Sequence, residues 1–257
     1  MIEAIFFDVD GTLLSFHSHQ IDQEVFDTFD VLKKKGIKLF IASGRSKNGL
    51  HVLNNYPFDG YIINNGQCCY DENWNLFSEN TICKEDLEII ISEANRIPFP
   101  CGFTMPDGKI FNYRDERVDA IHIITKNDNH PSGDVSDIVN KKVYQAMAFL
   151  DEDQEKELVK KLKKCESSRW HPSFCDINSL GSSKAEAMKI FAKKHGFAME
   201  NVMAFGDGGN DASMLESAGI GVAMLNGSDS CKECADYVTL DVDEGGVMHA
   251  LKHFKLI

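Results

Sequence analysis

Short apolar runs that stop at a polar residue, each followed by a helical stripe, occur at both ends of this chain and not in its middle. This pattern constrains the fold most, because strands that alternate with helices pair in parallel and are covered by helices. Ala4-Ile-Phe-Phe7 reads as a buried strand ending at Asp8. Over residues 22–35 apolar side chains fall at Val25, Phe29 and Leu32, a helical stripe closed by Gly36. Residues 37–42 and 60–63 are the next strands. Near the C-terminus Met188, Phe191, Ala192 and His195 mark a helix ended by Gly196. Strands then follow at 202–205, 219–223 and 237–240, separated by short helices.

The middle has a different grammar. Helices are expected around 84–96 and 153–165, and hairpin-like strands at 99–103, 109–112, 143–149 and 174–177. Pro98-Phe-Pro100, Pro106-Asp-Gly108 and Pro131-Ser-Gly133 punctuate them as turns. The reading is an α/β fold: a Rossmann-like parallel-sheet core made of residues 1–80 and 182–257, with an α+β cap domain, residues 81–181, inserted into it. Two linkers, near 79–83 and 178–183, make the insertion a candidate mobile lid.

Charge narrows the function classes. The 257 residues carry 27 Lys and Arg against 40 Asp and Glu, a formal charge of −13. Phosphate backbones and anionic membranes are recognised by clustered basic residues, so neither nucleic acid nor a membrane surface is the expected partner. An anionic ligand would need a metal or a few placed lysines. No apolar run is long enough to span a bilayer. The N-terminus has neither a basic n-region nor a small-residue cleavage site, so a cytoplasmic location with eight reduced cysteines is expected.

The chemistry concentrates at strand ends. Asp8-Val-Asp10-Gly11-Thr12-Leu13 places two carboxylates two residues apart where a parallel strand stops, the crevice in which α/β sheets bind ligands. A second acidic cluster, Gly206-Asp207-Gly208-Gly209-Asn210-Asp211, follows another apolar strand, with glycines that let backbone approach a ligand. It is not a dinucleotide fingerprint, because Asp211 stands where the last glycine would be, and no P-loop occurs. Two carboxylate clusters form a hard-oxygen site suited to Mg2+. Ala42-Ser43-Gly44-Arg45 ends the second strand and opens a helix, so the Ser43 hydroxyl and nearby N–H groups can hold an oxyanion. Ser183-Lys184 starts a later helix, and Lys184 can project into the same crevice. Taken singly, Ser43 also reads as a helix cap and Lys184 as a solvated lysine.

In this order, Asp8-x-Asp10-Gly-Thr-Leu, Ser43, Lys184 and Gly206-Asp-Gly-Gly-Asn-Asp211 resemble the four motifs of the haloacid dehalogenase (HAD) superfamily. An insertion between the second and third motifs resembles the Cof-type subfamily with a C2B cap. Arg169-Trp-His-Pro172 and Phe174-Cys-Asp-Ile177 look like the cap exit of its bacterial sugar-phosphate phosphatases.

The resemblance implies an Mg2+-dependent phosphomonoester hydrolase. Asp8 would be the nucleophile, forming an aspartyl-phosphate, and Asp10 the general acid and then base. Asp8, Asp10 through its backbone carbonyl, Asp207 and Asp211 would serve the metal, Asp211 by ligating or orienting. Ser43, Gly44, Lys184 and Asn210 would hold the phosphoryl oxygens, Arg45 the phosphate or substrate body, and Trp170 a sugar face. The substrate implied is a small phosphorylated metabolite, and the protein a monomer or weak homo-oligomer. Rival readings are a phosphomannomutase-like isomerase and a non-catalytic phosphate-binding module. The pattern departs from the family at Ala185, Leu180-Gly181 and Leu225, none of which removes a charged participant. Cys231-Lys-Glu-Cys234 lacks two further zinc ligands, and His249 and His253 lack the glutamate of a zinc-protease helix. Cys68-Cys69 reads as packing at the third strand's exit, and His17-Ser-His19 as a surface loop.

Overall fold

In the computed structural model, which describes residues 1–125 and 131–257 without the side chains of His122, Ile124, Thr125 and Trp170, the chain forms two units. One comprises Met1–Glu79 and Ser183–Ile257, the other Asn80–Ser182. The first opens with β1 (Ala4–Phe7), α1 (Gln23–Lys34), β2 (Lys38–Ala42), β3 (Gly60–Ile63), β4 (Cys68–Asp71) and β5 (Leu76–Glu79). The second holds α2 (Lys84–Arg96), β6 (Cys101–Met105), β7 (Gly108–Phe111), α3 (Glu116–Thr125), β8 (Gln145–Ala148), α4 (Glu152–Val159), β9 (Cys165–His171) and β10 (Phe174–Ser179). The first unit closes with α5 (Lys184–His195), β11 (Val202–Gly206), α6 (Ala212–Ser217), β12 (Ile220–Ala223), α7 (Asp229–Glu233), β13 (Tyr237–Val238) and α8 (Gly246–His253).

The first unit's sheet runs β13-β12-β11-β1-β2-β3-β4-β5. From β13 to β3 every pairing is parallel; β4 and β5 extend the edge antiparallel. β1 is central because all four of its side chains are apolar and wholly buried. Phe6 stacks on Phe40, 4.6 Å between ring centroids, and meets Phe191 of α5 edge-on. On the opposite face Phe7 packs against Phe29 of α1. Truncating Phe191, which is fully buried, to alanine would cost about 3–5 kcal/mol.

The second unit's sheet is antiparallel throughout, in the order β7-β6-β8-β10-β9. Cys101, Phe103, Ala146, Ala148, Cys175 and Ile177 form an apolar face that packs with Leu87 and Ile90 of α2 and Leu158 of α4. The alternate positions are mixed: Phe111 and Phe174, with Met147 partly buried beside them, cluster with Val118 and Ile121 of α3. Thr104, Gln145 and Asn178 lie in register across β6, β8 and β10, all buried.

Several boundaries differ from the sequence expectation. The helix expected over 153–165 stops at Val159, and Cys165 instead begins β9. The cause is remote: the buried Asp86 carboxylate accepts the backbone N–H groups of Lys163 and Lys164, both at 2.8 Å. Helix α3 was not anticipated. Cys68 and Cys69 open β4, a strand of their own. The strand expected at 99–103 is shifted to Cys101–Met105.

Candidate active site

Phe7 pairs with Phe205 on β11 and with Ile41 on β2. The three strands therefore release their next residues, Asp8, Gly206-Asp207 and Ala42-Ser43, at one end of the sheet. β1 sends the chain to β2 on one side, while β11 arrives on the other from far along the sequence. Open α/β sheets bind ligands at such a switch point.

Asp8 is 5% exposed, and its N–H donates to the Phe205 carbonyl at 3.0 Å. Ser183 caps α5 by accepting the Glu186 N–H, which fixes where Lys184, the first residue of the helix, leaves it. The fully buried Lys184 ammonium donates to Asp8 Oδ1 at 2.5 Å and to Asp211 Oδ1 at 2.6 Å. Asp211 Oδ2 accepts the N–H groups of Asp207 and Gly208, at 3.1 and 2.9 Å. Gly206 makes room for this carboxylate: a Cβ there would lie 2.4 Å from Asp211 Cβ. That glycine serves the loop's own packing, a use different from the ligand approach expected of it. Thr12 donates to Asp207 Oδ1 at 3.3 Å, and Asn226 ties its amide to the Gly11 carbonyl at 2.8 Å.

The electrostatics follow from this crowding. Burial, then the Asp211 charge, raise the Asp8 carboxyl well above its ordinary value, with Lys184 opposing them. Burial and Asp211 push Asp207 up to about 7. Burial alone would lower the Lys184 ammonium, but Asp211 and Asp8 outweigh it and raise it above the usual lysine range. A buried group of like charges is expensive unless cations neutralise it.

Ser43 is fully buried, and its hydroxyl accepts the Arg45 N–H at 3.1 Å. No α-helix opens here as expected; Gly44 and Arg45 lead instead into a 3-10 segment, Lys47–Leu53. Arg45 grips Asp10 with two parallel bonds, Nε to Oδ2 and Nη2 to Oδ1, each 2.7 Å, while Nη1 donates to the Gly49 carbonyl. Asn210 is exposed and donates to Asn65 Oδ1 at 2.9 Å. The sequence reading missed Asn65, Thr12 and Asn226. Asn64-Asn65-Gly66 after an apolar strand was the available signal for a left-handed turn. Trp170 lies in β9, and its side chain is outside the described residues.

Asp8, Asp207 and Asp211 can each offer one carboxylate oxygen within 4.8 Å of the other two. Four carboxylates, counting Asp10, face two cations, Lys184 and Arg45. An all-oxygen donor set with that imbalance fits a hard divalent cation such as Mg2+. The Asp10 side chain is committed to Arg45, and both Asp211 oxygens already accept hydrogen bonds. Asp8 and Asp207 are therefore the side chains best placed to hold the ion.

Proteins of similar sequence and fold are known. YcsE of Bacillus subtilis, a 5-amino-6-(5-phospho-D-ribitylamino)uracil phosphatase, is 29% identical over 99% of this chain and 96% of its own length. The structure of BT1666 from Bacteroides thetaiotaomicron, a HAD phosphatase, superposes with a TM-score of 0.94 at 36% identity, covering 100% of this chain and 96% of the other. That of BT4131, a HAD subclass IIB sugar phosphatase, gives 0.90 at 33% identity over 99% and 100%. The profile of the haloacid dehalogenase-like hydrolases matches residues 5–251, nearly the full length, and the chain belongs to that family.

Proposed function

We propose that this protein is an Mg2+-dependent phosphomonoester hydrolase of small phosphorylated metabolites, sugar phosphates foremost, acting through an aspartyl-phosphate on Asp8. The observation that carries the reading is the buried Asp8–Lys184–Asp211 chain at the sheet's switch point. It holds a carboxylate fixed and partly neutralised where a phosphate dianion could be attacked.

In the first step an Asp8 oxygen bonds to phosphorus, the ester P–O bond breaks, and Asp10 gives its proton to the departing oxygen. In the second, water attacks the aspartyl-phosphate, Asp10 takes the water's proton, and Asp8 leaves as carboxylate. Arg45 holds Asp10 in one orientation for both transfers. Lys184, Ser43 and Asn210 contact the phosphoryl oxygens. Asp8, Asp207 and the Asp10 carbonyl would hold Mg2+, which would supply charge neutralisation for the dianion.

The substrate class has separate support. YcsE and BT4131, by their names, act on a phosphoribityl compound and on sugar phosphates.

The test is phosphate release from hexose, pentose and polyol phosphates, nucleotides, a phosphopeptide and a lipid phosphate, with Mg2+ present. Free phosphate from a sugar or polyol phosphate, at a kcat/KM above all other classes, is the expected result. Accumulation of an isomer without free phosphate would favour a mutase, and a preference for the phosphopeptide would refute the substrate class.

A further inference from the structure

The turn Asn64-Asn65-Gly66 follows β3 and reaches three segments of the site, the Ser43–Arg45 loop, the start of α5 and the Asn210 loop, although no role was expected of it. All three residues are left-handed, with φ of 49°, 56° and 99°. Consecutive non-glycine residues in this region are rare, and such backbone persists where the surroundings hold it. Here they do. The Asn64 N–H donates to the Arg45 carbonyl at 3.0 Å and the Asn65 N–H to the Ser43 carbonyl at 3.1 Å. Gly66 abuts the start of α5: a Cβ there would lie 2.3 Å from the Ser183 carbonyl oxygen, so no other residue fits. The Asn65 side chain then accepts the Asn210 amide at 2.9 Å.

We propose that Asn65 is a positioning residue for phosphate binding, acting through Asn210; this rests on the phosphoryl-transfer reading above. An exposed asparagine amide samples several orientations in water, and ordering it weakens any ligand that depends on it. The Asn65 oxygen fixes one N–H of Asn210 and thereby orients the other. Its backbone N–H meanwhile fixes the Ser43 loop on the facing side.

The variant Asn65→Gly separates the two contributions. Glycine adopts positive φ freely, so the fold and the bond to Ser43 are kept while the amide is lost. Calorimetric titration of the Mg2+-loaded protein with inorganic phosphate should show affinity about fivefold to tenfold weaker for Asn65→Gly, the scale of one orienting hydrogen bond. In an Asn210→Ala background Asn65→Gly should weaken binding no further, since the orienting bond is already gone. Wild-type phosphate affinity in Asn65→Gly, or additive losses in the double variant, would overturn the proposal. The readout is binding and not turnover. A wild-type protein that binds phosphate but hydrolyses no ester would therefore count against the proposed function, while the Asn65 coupling is still measured.

Discussion

The two sheets of this protein distribute polar residues in opposite ways. In the first unit the strands that lead into the site, β1, β11 and β2 after Lys38, are apolar, and polar chemistry begins where they end, at Asp8, Ser43 and Asp207. In the second, polar residues lie within the strands, at Thr104, Gln145 and Asn178, back to back with an apolar face. A parallel sheet buried on both faces has only its ends to offer a ligand. That arrangement suits one fixed reaction on a constant group.

Substitutions should therefore separate the regions, most sharply at the nucleophile. Asp8→Asn should lower turnover of every phosphate ester by at least about three orders of magnitude, because an amide does not attack phosphorus. Steady-state rates on a sugar phosphate and on p-nitrophenyl phosphate check this, and retained turnover on either would break the comparison. Next in size, EDTA should abolish hydrolysis of all esters, and Mg2+ but not Ca2+ should restore it, since Ca2+ coordinates more loosely. Substitutions in the second unit should spare the reaction. Thr104→Val with Asn178→Leu should leave the steady-state rate on p-nitrophenyl phosphate within about twofold of wild type, and a loss on the scale of Asp8→Asn would erase the distinction.

The smallest effect is on stability. Asp207 holds its proton up to about pH 7 in the folded protein, against 3.8 ordinarily. Between those values the folded state binds more protons than the unfolded one, so the stability of metal-free protein falls as pH rises from about 4 to 7. Asp207→Asn should remove that contribution. In EDTA the variant should melt a few degrees above wild type at pH 8 and close to it at pH 4. Thermal melts at the two pH values, with and without Mg2+, measure this, and an unchanged difference would refute it.

How much could be read from the sequence follows the same division. The core strands and their terminal aspartates were legible because hydrophobic runs and the residues that stop them are local. Lys184 was legible as the start of a helix, but its reach to Asp8 and Asp211 depends on strands that are adjacent only in the sheet. The end of α4 was not legible, because Asp86, more than seventy residues earlier, captures the backbone N–H groups of Lys163 and Lys164. Helix α3 escaped because Glu116-Arg-Val-Asp-Ala-Ile has little amphipathic contrast, although Asp115, which accepts the Arg117 N–H, offered a capping signal. Asn65 escaped because its importance lies in a dihedral angle and a distant amide.

The bond from the Asn80 amide to the Ser182 hydroxyl, at 2.5 Å, joins the first and last segments of the second unit. Its consequence concerns synthesis. β1 must wait for β11, nearly two hundred residues later, before its second edge is covered. An open apolar strand edge on a growing chain invites mispairing. Once the second unit has folded and brought its ends together, the wandering length that separates β1 from its partner shrinks to that of short connections, and the entropy of closing the sheet falls accordingly. The insertion thus shortens the chain as the core experiences it. Its length and sequence can then drift over generations without slowing assembly of the catalytic sheet, provided its two ends still meet.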